Sequence, residues 1–185
     1  MDDRQLVNNC LKGKAAAQRQ LYERFASSML AVCYRYTKSV ADAEDVLQEG
    51  FVKVFKNLQQ FKGEGELGGW IRRIMVTTAI NFLKKNSRYQ AELVFGEEHL
   101  HAINNYHPEM NLGAKELADL IRQLPAGYQT IFNLYAVEGY THLEIGTMLG
   151  IQEGTSRSQY ARARALLIKW IEQKNTELKT TVYAR

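Results

Sequence analysis

The stretch from Thr141 to Arg164, THLEIGTMLGIQEGTSRSQYARAR, decides how the chain folds, because it reads as a helix, a tight turn and a second, basic helix. Thr141 with Glu144 three residues on is a capping box, a pair that satisfies backbone N–H groups left open at a helix start. Ile145, Met148 and Leu149 give the first helix one apolar face, and Gly150 supplies a residue tolerant of positive φ to end it. Gly154 and Thr155 then open the second helix, which carries Arg157, Arg162 and Arg164. A short helix bracing another that presents guanidinium groups is the geometry of a helix-turn-helix entering a major groove, so the stretch predicts duplex DNA as its ligand. The plainer alternative is an ordinary pair of packed helices whose arginines only solvate a surface, and the pattern alone leaves it open.

Outward from this stretch, 185 residues allow one medium domain or two small ones. Hydrophobic residues at 45% and charged residues at 24% match a globular chain and argue against disorder. With only two prolines and few alternating β-branched runs, the chain reads as mainly helical. The start, MDDRQLVNNC, has acids where a signal peptide needs positive charge, and no run approaches the roughly 18 apolar residues of a membrane span. Cys10 and Cys33 lack the spacing of a metal or redox motif, so the expectation is two buried thiols in a reducing cytoplasm, with no membrane insertion.

A net charge of +4 is modest, but its distribution is telling. Between Ala41 and Glu66 the acids Asp42, Glu44, Asp45, Glu49, Glu64 and Glu66 outnumber Lys53, Lys56 and Lys62. Between Trp70 and Gln90 stand Arg72, Arg73, Lys84, Lys85 and Arg88 with no acid at all. The apolar pattern predicts a lead-in helix at Leu6–Leu11 and a longer one from Ala15 to about Thr37. It also predicts a strongly amphipathic helix whose stripe is Ala43, Val46, Leu47, Gly50, Phe51, Val54, Phe55 and Leu58. The segment KGEGELGG, Lys62–Gly69, is expected to be a loop, since glycines make a helix costly. Helix resumes from Trp70 to about Asn86, where Arg73, Thr77, Asn81, Lys84 and Arg88 form a polar, cationic stripe. Periodicity fades between Tyr89 and Leu112, which predicts a connector, and returns from Ala114, with a break at Pro125 and a helix from Gly127 to Glu138. The expected fold class is all-α, with two small helical domains at 1–88 and 113–185 joined by a linker at 89–112.

No catalytic constellation is legible. KGEGELGG lacks the lysine of a phosphate loop and the strand before it, and the acids of the Ala41–Glu66 segment have no metal-ligand context. His99, His101 and His107 fall in the connector without a supporting pattern, so neither a metal nor a cofactor nor a small-molecule substrate is expected. Trp70 at a helix start has two readings, a core residue or a platform for a base.

The run DAEDVLQEGFVKVFKNLQQFKGEGELGGWIRRI, the basic helix after it, and LPAGYQTIFNLYAVEGYTHLEIGTMLGI with EGTSRSQYARAR resemble, in order, the extracytoplasmic-function group of bacterial sigma-70 factors. The resemblance runs from about Lys14 to Trp170, the linker excepted. It implies that the first domain corresponds to region 2 and the second to region 4. The implied partners are core RNA polymerase, through its β′ clamp helices and β flap, and promoter DNA. A membrane-tethered anti-sigma factor, the usual inhibitor in the family, is implied as well.

On this resemblance Asp42, Asp45, Gln48 and Glu49 bear on the polymerase, with Phe51 supporting their helix from inside. Gly63, Gly65, Trp70, Arg72, Arg73, Thr77, Asn81, Lys84, Lys85 and Arg88 bear on the melted −10 strand. Thr155, Arg157, Ser158, Arg162 and Arg164 bear on the −35 duplex, with Arg157 and Ser158 toward base edges and Arg162 and Arg164 toward phosphates. The chain departs from the family with Leu67 and Gly68 in place of an aromatic and a basic or polar residue, and with Thr77 and Asn81 in place of Asn and Asp. Ser156 stands where Val is usual on the inward face of the recognition helix, which predicts looser packing there. The alternative reading is a free-standing helix-turn-helix regulator whose first domain senses a ligand or dimerises.

Overall fold

Apolar residues spaced by three and four close two separate cores. The computed structural model describes residues 2–85 and 114–183, and all the regular structure among the described residues is helical. The chain divides into two units between Lys85 and Asn86. The first holds α1 (Asp3–Leu11), α2 (Ala15–Tyr34), α3 (Val40–Asn57) and α4 (Leu67–Lys84). The second holds α5 (Ala114–Gln123), α6 (Ala126–Phe132), α7 (His142–Leu149) and α8 (Glu153–Tyr183). The expected all-α class with two helical domains is the fold observed. Arg88, His99, His101, His107 and the expected linker lie outside the described residues.

In the first unit α2, α3 and α4 pack against one another, and α1 lies on α2. Ser39 starts α3 by accepting the Asp42 N–H on its hydroxyl at 3.0 Å. The stripe then goes inward: Ala43, Val46, Leu47, Gly50, Phe51, Val54 and Leu58 are buried, and only Phe55 is half-buried. Gly50 is there for closeness rather than for flexibility, because a Cβ would overlap the Met75 sulfur on α4. Cys10 and Cys33 are buried free thiols, and burial pushes Cys33 up to about 12, far from a reactive thiolate.

The segment expected to be a loop is helical in its last three residues. Leu67 is fully buried, and Gly68 lets the first turn of α4 approach Phe25, whose ring carbon would lie 3.2 Å from a Cβ at that position. Burial of Leu67 offsets the helix cost of two glycines, so tertiary packing overrides propensity. The turn that remains, Lys62–Glu66, holds Gly63 at φ +74° and Gly65 at φ +93°, values that favour glycine.

In the second unit Leu120, Ile121, Leu124, Tyr128, Ala163 and Leu167 form the core, with Phe132 and Trp170 packed at its edge. Pro125 precedes α6, as the break in periodicity predicts. The helix expected through Glu138 changes character after Phe132, where Asn133–Val137 forms a π turn.

Gly50→Val should destabilise the first unit by about 1–3 kcal/mol through overpacking against Met75. Met75→Ala in the same chain should restore part of that loss in urea unfolding; no rescue would mean that the contact does not limit helix approach.

Candidate nucleic-acid and protein interfaces

The helix-turn-helix is built from local signals. Thr141 caps α7 with both halves of the capping box, its hydroxyl accepting the Glu144 N–H at 3.3 Å and Glu144 Oε2 accepting the Thr141 N–H at 2.8 Å. Gly150 ends α7 at φ +73°. The turn is so tight that a Cβ on Gly146 would lie 2.8 Å from the Ile151 carbonyl oxygen. Across it α8 begins at Glu153, one residue before the expected start, which is within ordinary helix-end variation.

Arg157, Ser158, Arg162 and Arg164 are exposed on α8, and Thr155 is half-buried. The Ser158 hydroxyl donates to the Thr155 carbonyl at 3.0 Å. Arg157 is held by Glu153 one turn earlier, its Nε donating to Glu153 Oε1 at 3.0 Å and its Nη2 donating to the same oxygen.

Ser156 does not loosen the helix. It is fully buried, and its hydroxyl lies 3.0 Å from Nδ1 of buried His142 at the start of α7. A polar pair replaces apolar filling, and each member satisfies the other. Tyr135, presented by the π turn, stacks on the imidazole at 4.2 Å and 8°, and Tyr160 closes against both rings. Burial, and then the charge of Arg157, hold the His142 pKa below the ordinary histidine value against a smaller opposing effect of Glu153.

On α3, Asp45 and Gln48 are exposed and Asp42 and Glu49 half-buried, so the four polar residues share the outer side. Phe51 is 3% exposed, its ring centroid 4.7 Å from that of Tyr22, and it supports the helix from inside. Lys53 reaches both helices, its ammonium 2.7 Å from Glu49 Oε1 and 3.3 Å from Thr78 Oγ1 on α4. The hydrogen bond from Lys53, together with its charge and that of Lys85, holds the Glu49 carboxyl below the usual carboxylate range although partial burial opposes them.

On α4, Arg73, Thr77 and Asn81 are exposed and Arg72 and Lys84 are half-buried, and Lys85 just past its end is exposed. Thr77 turns its hydroxyl back to the Arg73 carbonyl at 2.9 Å. Trp70 is neither core nor free: it is half-buried, its ring 5.7 Å from that of Phe61. Gly63 and Gly65 stand in the turn leading into this helix, whereas Leu67 is withdrawn into the core.

Residues 21–89 match the family model of Sigma-70 region 2, and residues 114–167 match that of Sigma-70, region 4. The ECF RNA polymerase sigma-E factor of Escherichia coli (strain K12) is 30% identical over 177 residues, covering 89% of this chain and 91% of that protein. The chain belongs to the extracytoplasmic-function sigma factors of the sigma-70 family. The ECF RNA polymerase sigma-E factor of Haemophilus influenzae is 29% identical over 180 residues, covering 90% of this sigma factor and 94% of the relative. Among solved structures, the sigma factor RpoE in complex with the anti-sigma factor NepR from Bartonella quintana has a TM-score of 0.52 at 18% identity, covering 83% of this chain and 96% of that one. CnrH in complex with the cytosolic domain of CnrY has a TM-score of 0.50 at 20% identity, with coverages of 92% and 97%. At such identities the two structures speak for the fold alone.

Three residues of this sigma factor escaped the reading of its sequence: Lys53, Glu153 and His142. The first two carried a signal, since an acid four residues before a base pairs on a helix surface. His142 carried none, because its partner is fourteen residues away on another helix.

A histidine held below its ordinary pKa binds fewer protons folded than unfolded. Its stabilising effect is therefore complete above the ordinary value and is lost as pH falls through it. The second unit's unfolding midpoint should fall between about pH 7 and pH 5, read from Trp170 fluorescence in a Trp70→Phe background. His142→Gln, whose amide can still bond Ser156, should flatten that dependence, and an unchanged slope would remove His142 as its source.

Proposed function

We propose that this chain acts as a dissociable initiation subunit, directing core RNA polymerase to specific promoters and assisting DNA melting, rather than as an enzyme. The observation that carries the reading is that one chain combines both sigma-70 modules, each with an outward face of the required charge. Residues 1–88 form the module for core binding and −10 recognition, 89–112 the linker, and 113–185 the module for the −35 element.

The chemistry of the three faces supports distinct partners. The outer side of α3, with Asp42, Asp45, Gln48 and Glu49, suits the basic surface of the polymerase β′ clamp helices, and the second unit engages the β flap. Arg72, Arg73, Lys84, Lys85 and Arg88 with Thr77 and Asn81 suit a melted −10 strand, with Trp70 as a stacking edge and Gly63 and Gly65 allowing the strand close to backbone. Arg157 and Ser158 read base edges of the −35 duplex, while Arg162 and Arg164 hold its phosphates and Thr155 stands at the start of the same helix. The protein works in the cytoplasm, and a membrane-tethered anti-sigma factor restrains it. The solved complex of the sigma factor RpoE with the anti-sigma factor NepR is in keeping with such restraint.

A free-standing regulator is not favoured, because residues 21–89 match Sigma-70 region 2 rather than a sensing or dimerisation domain.

Asp45→Lys with Glu49→Lys should cut co-purification with core polymerase by about tenfold or more, in line with the cost of placing like charges across an interface. Helicity should be unchanged, and wild-type yield would show that the face is misassigned. Removing Arg73 and Lys84 should reduce permanganate reactivity at the promoter start more than duplex binding; unchanged melting would remove α4 from strand capture.

A further inference from the structure

The Glu153–Arg157 pair looks like an ordinary surface ion pair, and as such it would contribute little to folding. Its geometry says more. Arg157 presents Nε and Nη2 to a single oxygen, Oε1 of Glu153. That engages one edge of the planar guanidinium and leaves the two terminal nitrogens with outward N–H groups. Those groups form the end-on fork that matches two acceptors on one base, as guanine presents with O6 and N7 in the major groove. The Arg157 side chain is 65% exposed, so the fork stands in solvent.

Both ends of the pair are anchored. Glu153 opens α8 directly after the turn, where a Cβ on Gly146 would lie 3.5 Å from its backbone nitrogen. Arg157 follows Ser156, whose buried hydroxyl is tied to His142 on α7. The carboxylate and the guanidinium therefore meet on two backbone points that the helix-turn-helix packing holds in place.

We propose that Glu153 is a specificity-determining residue of the −35 interface: its carboxylate holds the Arg157 guanidinium in the orientation that reads guanine and keeps it from swinging to other bases or to phosphates. The inference rests on the reading of Arg157 as a base contact. Two consequences follow that a merely structural role lacks. Pre-orientation lowers the ordering cost of the right contact and withholds the charge from wrong ones. The negative charge also repels the DNA backbone, so Glu153 lowers affinity for duplex of any sequence while raising discrimination.

Holoenzyme assembled from the full chain and core polymerase would be presented with a pool of promoter-length duplexes randomised across the upstream element, and the bound fraction sequenced. Wild type should enrich guanine at one or two positions, and Arg157→Ala should lose that enrichment. Glu153→Ala should lower discrimination there by about three- to tenfold, part of the value of a full bidentate contact, while binding to non-selected duplex stays equal or rises and the melting temperature is unchanged. Glu153→Gln, whose amide oxygen still accepts from Arg157, should keep most of the discrimination, and Glu153→Ala added to Arg157→Ala should cost nothing further. If Glu153→Ala keeps wild-type enrichment at the position that Arg157→Ala loses, the role of Glu153 is overturned and that of Arg157 stands. If Arg157→Ala itself keeps the enrichment, both fall.

Discussion

The absence of a side chain at Gly146 sets the second unit. A Cβ there would lie 2.8 Å from the Ile151 carbonyl oxygen, a backbone atom that cannot step aside as a flexible side chain does. With the glycine, α7 and the start of α8 meet almost backbone to backbone, and the turn between them has one geometry. Ser156 then points inward, to within 3.0 Å of His142, and Arg157 on the next position points outward. A slip of one residue along α8 would bury an arginine and expose the serine. The tight turn thus decides which side chains α8 turns outward, and the polar pair beneath it penalises any other register, because a buried hydroxyl or imidazole without its partner is costly.

The first unit uses the same device for another end. Gly50 lets α3 approach α4 at Met75, and Gly68 lets the first turn of α4 approach Phe25. Close approach at these two points holds the outer side of α3 and the cationic stripe of α4 on one small body, and Lys53 spans the two helices from Glu49 to Thr78. The outer side of α3 and the cationic stripe of α4 are therefore held together by Lys53 and by the buried contact at Met75, which belong to neither.

Much of this was legible where the signals are local. Thr141, Glu144 and Gly150 announce the helix-turn-helix because capping and termination depend on residues within one turn, and the α3 stripe from Ala43 to Leu58 announces its buried face through period alone. Apart from the i,i+4 pairs of Lys53 and Glu153, what escaped depends on distant partners. Gly68 and Gly69 argue for a loop until Phe25 and the buried Leu67 are known, and Ser156 looks like a packing defect until His142 is seen opposite. The π turn at Asn133–Val137 has no local mark, yet it presents Tyr135 to the imidazole. On α3 and α8 spacing separates the outward from the inward positions as the helices show them, whereas Leu67, expected in a loop, lies in the core. The resemblance supplied the roles; the residues supplied the charges and the faces.

The central claim, that the two modules serve one polymerase, is tested most directly by run-off transcription from genomic promoter fragments with core RNA polymerase, in the presence and absence of this chain. Discrete transcripts should appear only when both are present, starting downstream of a shared pair of −35 and −10 sequences. Specific protection of duplex DNA by the chain alone, with no promoter-specific transcript on addition of core polymerase, would contradict it.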